Sequence, residues 1–141
     1  MASGQCIVEI PTNSEESQSI RSYRDSVAWQ KAMELVGLVY RLAATFPAFE
    51  QYGLRSQLTR AAVSVPANIA EVQARATSRD FANFLNIARS SLVETDTLLE
   101  VAIRQGYVTE GQASAALSLI GEIGKMLTRL RGRILDKGRG A

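Results

Sequence analysis

Apolar residues recur at alternating intervals of three and four along four successive stretches of this chain, and that period confines the fold more than any other feature. Side chains three or four positions apart share one face of an α-helix, whereas a strand needs alternation by two. Strand-type alternation is absent over any convincing length. In the first stretch Ala28, Ala32, Leu35, Val39, Leu42 and Phe46 form one face, and Trp29, Met33, Val36, Tyr40 and Ala43 form a second one position further round. The two together are wider than a single bundle seam requires. Asp25 or Ser26 suits the N-cap, and Pro47 is expected to end the helix because proline disfavours α geometry in the residue before it.

From Leu54 the set Leu54, Leu58, Ala61, Val65, Ile69, Val72 and Ala76 resumes the same spacing after a loop over Phe49 to Gly53. Pro66 falls inside this stretch. It lacks the N–H that would bond the Ala62 carbonyl, so a kink or interruption is predicted near Val65, with Ser64 and Asn68 placed to bond freed backbone groups. Thr77 with Asp80 resembles a capping box opening a third helix. That helix carries Phe84, Ala88, Ser91, Thr95, Leu98 and Ala102 on one face, beside Phe81, Leu85, Leu92 and Leu99, and Gly106 supplies its stop. Thr109 is expected to cap a fourth helix bearing Ala116, Ile120, Ile123, Leu127, Leu130 and Ile134. Short connections make successive helices antiparallel neighbours, so the predicted fold is an all-α, up-and-down four-helix bundle with its second helix kinked at Pro66.

A chain of 141 residues is enough for one domain with its own core. Met1 to Arg21 is poor in apolar periodicity and contains Pro11, Asn13 and several serines, so residues 1–22 are predicted to be a disordered tail, 23–136 the bundle, and 137–141 an end frayed by Gly138 and Gly140. No stretch approaches the roughly 18 to 20 apolar residues of a membrane span, and no signal pattern opens the chain, which points to the cytoplasm.

The chain has no histidine, and its one cysteine, Cys6, lies in the tail. Ser-His and Cys-His nucleophile pairs, the Glu-x-x-His motif of di-iron bundles and any cysteine cluster for zinc are thereby excluded. Glu71, Glu94, Asp96 and Glu100 are the carboxylates one would try as a metal site, but Glu94 and Asp96 project about 200° apart on an ideal helix. No catalytic residue, metal or cofactor is expected.

Two groups of residues suggest binding. On the second helix Gln57, Arg60, Ser64, Asn68, Glu71 and Arg75 form a polar stripe bordering the apolar one. It reads as a solvated face with a Glu71–Arg75 pair, or as a subunit contact in which the Asn68 and Gln57 amides fix register. The second group is basic. Lys125, Arg129, Arg131, Arg133, Lys137 and Arg139 face a single acid, Asp136, a local balance of +5 in a chain of net charge +2. Lys125, Arg129, Arg133 and Lys137 recur every four residues as a stripe. Cations near a helix C-terminus offset the backbone dipole, and arginine also offers bidentate contacts to phosphate.

The run from Tyr52-Gly53-Leu54-Arg55 through Val65-Pro66-Ala67-Asn68-Ile69-Ala70-Glu71 to Arg75 resembles the hallmark of a bacterial four-helix-bundle family. That family includes the proteins encoded by 23S ribosomal RNA intervening sequences. Val27-Ala28-Trp29-Gln30-Lys31-Ala32, Phe84-Leu85-Asn86-Ile87-Ala88, Ser91-Leu92-Val93-Glu94 and Gly106-Tyr107 agree, so the resemblance spans roughly Tyr23 to Ile134. Val72, Thr59 and Ser90 depart from it, standing for a glycine, an arginine and a glycine. Members are similar to the accessory variability protein of diversity-generating retroelements, a barrel of five bundles that engages reverse transcriptase and nucleic acid. The resemblance implies a homopentamer with a basic surface and no enzymatic activity, and the double stripe on the first helix, wider than one core can cover, marks Trp29, Met33 and Tyr40 for subunit contacts. Two functions follow. One is an accessory module that binds the phosphate backbone of RNA or DNA through Lys125, Arg129, Arg131, Arg133 and Lys137. The other is a ring-forming scaffold that recruits a protein, such as a reverse transcriptase, and binds no nucleic acid.

Overall fold

The structure, a computed structural model, describes residues 23–24, 26–74 and 78–140, and the side chains of all these except 73, 78 and 134–140. The predicted tail, Asp25, Arg75, Ala76 and the Thr77 cap lie outside the described residues. Four helices account for the fold: α1 (Val27–Ala43), α2 (Leu54–Ala74), α3 (Ser78–Arg104) and α4 (Glu110–Gly140). Each packs against two neighbours, α1 and α3 both touching α2 and α4, with no diagonal contact among the described residues. This is the square, antiparallel arrangement that short connections dictate.

Ser26 begins α1, its hydroxyl accepting the Trp29 N–H at 3.2 Å. The Tyr23 ring meets the Trp29 ring edge-on at 5.5 Å. The helix ends at Ala43, earlier than Pro47 suggests. Thr45 and Phe46 donate to the carbonyls of Leu42 and Ala43 three residues back, and the Thr45 hydroxyl takes the Leu42 carbonyl at 2.7 Å, so the chain has tightened before proline is reached. Pro47 instead precedes a 3-10 turn, Ala48–Glu50, within the region expected to be loop.

α2 has no hydroxyl cap. The Glu50 carboxylate fills that role, accepting the Leu54 N–H at 2.8 Å through Oε1 and the Tyr107 hydroxyl at 2.8 Å through Oε2. One side chain thus closes the orphan N-terminus of α2 and ties the α1–α2 loop to the α3–α4 loop. A Cβ at Gly53 would lie 2.6 Å from Glu50 Oε1, so any other residue there would push the capping carboxylate aside. The backbone N–H holds the Glu50 carboxyl below its ordinary pKa, with the Tyr107 hydroxyl adding to the effect, and the same bond pushes the Tyr107 phenol up.

α2 runs without interruption through Pro66, which is buried, so the break allowed for near Val65 does not occur. Asn68 does bond backbone, but its amide donates to the Ser64 carbonyl at 2.8 Å and not to the Ala62 carbonyl that Pro66 leaves without its helical donor. Gly106, at φ 78°, stops α3 as predicted: its N–H reaches the Ile103 carbonyl and the Tyr107 N–H reaches Ala102, the two bonds of a Schellman motif. Thr109 opens α4 reciprocally with Gln112, hydroxyl to N–H at 3.0 Å and amide oxygen to N–H at 2.9 Å. α4 continues to Gly140, beyond the expected bundle boundary at 136.

Most of the predicted faces are buried, but Ala28, Leu42, Phe81, Phe84 and Leu130 are only partly so, and Ala62, Val108, Ala113 and Leu119 join the core without having been predicted. Leu35, Val39, Leu58, Val65, Ile69, Leu85, Leu99, Ile123 and Leu127 are essentially inaccessible, as is Thr95, whose hydroxyl bonds the Ser91 carbonyl at 2.8 Å. Val72 is buried among them. Of the second α1 stripe, Ala43 is buried, Trp29 and Val36 are partly buried, and Met33 and Tyr40 stay 45% and 53% exposed. Lys31 joins α1 to α4 through Glu122 at 2.9 Å.

Candidate functional site

α3 is flanked by two depressions of opposite character. The larger lies between α3 and α4, a cavity of about 570 Å³ lined by Arg89, Leu92 and Val93 from α3 and by Gly121, Gly124, Lys125, Thr128 and Arg129 from α4. Its position follows from the hairpin: Arg89 and Lys125 each lie 18 residues from Tyr107, so antiparallel pairing brings them level. Three cations from two helices border the cavity, and no carboxylate lines it. Glu122 is next in sequence to Gly121, but its carboxylate is engaged by Lys31 on the α1 side of the helix. That ion pair raises the Lys31 pKa, chiefly through the hydrogen bond to Glu122. The Thr128 hydroxyl is turned onto its own helix, donating to the Gly124 carbonyl at 2.9 Å.

The smaller depression, about 260 Å³, lies between α2 and α3 and is lined by Gln57, Arg60, Ala61, Ser64, Ser91 and Glu94. Here the helices are joined. The Ser91 hydroxyl, 7% exposed, donates to Ser64 Oγ at 2.8 Å, and the Asn68 amide donates to the same oxygen at 3.0 Å. One cation, Arg60, and one anion, Glu94, stand beside that bond, so the site has no net charge to offer an anion.

The predicted site residues therefore separate. Lys125 and Arg129 reach the α3–α4 cavity, whereas Arg131 and Arg133 are exposed further along α4 and the Lys137 side chain is outside the described residues. On α2, Gln57 and Arg60 are exposed, and Ser64, Asn68 and Glu71 are partly buried. Asn68 bonds its own helix and Ser64, Gln57 lies open, and Ser64 Oγ accepts the Ser91 hydroxyl from α3. Arg89 was not among the predicted residues. Its signal is the equal distance from the Gly106-Tyr107 turn, legible only once the hairpin register is fixed.

Among the described residues no group of three His, Cys, Asp or Glu side chains is placed to hold a metal ion, and no helix is long and apolar enough to cross a membrane.

Against known proteins, the model of the family described as 23S rRNA-intervening sequence protein matches residues 24–129. Among solved structures, a protein of unknown function from the S23 ribosomal protein family of Bacteroides thetaiotaomicron VPI-5482 is 29% identical. It superposes with a TM-score of 0.70, covering 75% of this chain and 96% of its own. No curated protein matches the chain.

Proposed function

The chain belongs to the 23S rRNA-intervening sequence protein family, and on that footing we propose that it is a non-enzymatic accessory module that binds the phosphate backbone of nucleic acid along the α3–α4 face. The observation that carries this reading is the cavity bordered by Arg89, Lys125 and Arg129 with no carboxylate in its lining. A cationic cleft focuses potential on an anionic chain, and guanidinium groups fit phosphate oxygens bidentately. Arg131 and Arg133, both exposed, extend the positive surface along α4. Self-association multiplies such a surface, and the exposed Met33 and Tyr40 on α1 support it. The pentameric number is taken from the family resemblance alone.

The test is binding of labelled RNA and DNA across a salt series, with light scattering for mass. If the three cleft cations each neutralise one phosphate, the logarithm of affinity falls with the logarithm of salt with a slope of roughly −2 on a single strand. Reversing Arg89, Lys125 and Arg129 to glutamate should weaken binding by more than about tenfold at low ionic strength and flatten that slope, with helicity and mass unchanged. Absence of salt-sensitive binding to any RNA or DNA would leave the ring-forming scaffold, with a protein partner such as a reverse transcriptase, as the function to pursue.

A further inference from the structure

We infer that the α3–α4 cavity takes a single strand of nucleic acid, and that Gly121 and Gly124 are the residues that admit it; this rests on the phosphate-backbone function proposed above. Glycine weakens a helix interior relative to alanine, so two of them three residues apart in mid-helix call for a reason. Backbone conformation supplies none, because Gly106 is the only described glycine with positive φ. Packing within the chain supplies none either. A Cβ built at Gly121 meets nothing within 4 Å, and one at Gly124 meets only Leu92 Cδ2 at 3.7 Å, an ordinary contact. What the missing side chains do is keep the cavity of about 570 Å³ open beside the α4 backbone.

The floor of that cavity decides the kind of strand. Leu92 and Val93 line it, and Val93 is 65% exposed although it is apolar. In a duplex the bases are stacked and paired, and the surface offered to a protein from outside the grooves is sugar and phosphate. Such a ligand would meet Arg89, Lys125 and Arg129 at the rim and gain nothing from an apolar floor. An unpaired strand can lay a sugar or the face of a base against Val93 while its phosphates reach the cations. No aromatic side chain lines the cavity, and the aliphatic Leu92 and Val93 offer no hydrogen bond by which a base edge would be read.

The experiment uses the full chain, with Gly121→Leu and Gly124→Ala combined to fill the cavity, and Gly121→Ala alone as a milder variant. Binding of a labelled single-stranded RNA and of the duplex of the same sequence is measured by anisotropy at low salt, with helicity and thermal midpoint as controls. The filled protein should lose about tenfold in single-strand affinity while duplex affinity changes less than about twofold, and its midpoint should not fall, since a Cβ at either position meets nothing closer than 3.7 Å and both leucine and alanine favour a helix over glycine. Gly121→Ala should lie between the two. Single-strand affinity unchanged by filling overturns the inference while leaving the phosphate-backbone function standing, as does equal loss for the duplex. Displacement of the RNA by helical polyglutamate with the same dependence on Gly121 overturns it in favour of an acidic helix from a protein partner. Failure of the unaltered protein to bind either RNA overturns both.

Discussion

The two sides of α3 are built on opposite terms. Towards α2 the helix presents Ser91, which is buried and reaches across to Ser64 at 2.8 Å, with the buried Ala88 and Thr95 beside it in the core. Towards α4, near Arg89 and Val93, the facing residues are glycines whose missing side chains no neighbour replaces. Small residues thus do two different jobs in one bundle. On the α2 side they let helices close and lock by hydrogen bond; on the α4 side they keep a charged surface open. Size alone would not tell the cases apart. What distinguishes them is whether an added atom would meet anything.

The comparison breaks first, and by the largest margin, at the closed side. Ala88→Leu should destabilise the protein by about 1 to 3 kcal/mol through overpacking. A melting midpoint equal to that of the unaltered protein would mean that the core around Ala88 has slack. Ser64→Ala should cost about 1 to 2 kcal/mol, because it leaves the buried Ser91 hydroxyl without its partner on α2. Removing both hydroxyls should cost less than the two single losses added, and simple additivity in denaturant melts would show that they do not act as a pair.

On the open side the sign reverses. Gly121→Ala should raise stability by roughly 0.5 to 1 kcal/mol, since it improves helix propensity and meets no contact. A loss of stability there would mean that the cavity wall is already filled in solution.

The smallest effect concerns the end of the bundle that holds the α3–α4 hairpin in place. The Glu50 carboxyl has a depressed pKa in the folded chain, so its stabilising contribution is fully present above the ordinary carboxylate value of 4.5 and is lost as pH falls through the folded value. The Tyr107 phenol is shifted the other way, so its contribution is present below 10.0 and is lost as pH rises through its own folded value. Glu50→Gln should therefore flatten the acid limb of the stability profile. An acid limb identical to that of the unaltered protein would show that Glu50 does not link the two loops in solution.

Most of the closed architecture could be read from the sequence, because burial follows the helical period directly. Leu58, Val65, Ile69, Leu85, Leu99, Ile123 and Leu127 fell where the three-four spacing put them, and the Ser26, Gly106 and Thr109 signals are local ones. The Glu50 cap was missed because Glu50 serves α2 from four residues before its first turn and completes its bonding with Tyr107, 57 residues away. Pro47 misled because the chain had already tightened onto Leu42 and Ala43. Of the candidate site, the α4 half was legible as a basic stripe, with Lys125 and Arg129 both at the cavity. The α3 half was not, since a lone Arg89 acquires meaning only from its pairing across the hairpin. Gly121 and Gly124 do not stand out in the sequence, because what sets them apart is the open space beside them in the folded hairpin.

The most direct test of the contrast is hydrogen–deuterium exchange on the full chain with and without a single-stranded RNA in excess. If the α3–α4 side is the open, binding side, peptides spanning residues 117–130 should gain protection in the presence of the RNA, while peptides spanning 57–68 on the α2 side should exchange as before. Protection confined to 57–68, or exchange unchanged in both regions while the RNA is bound, would contradict it.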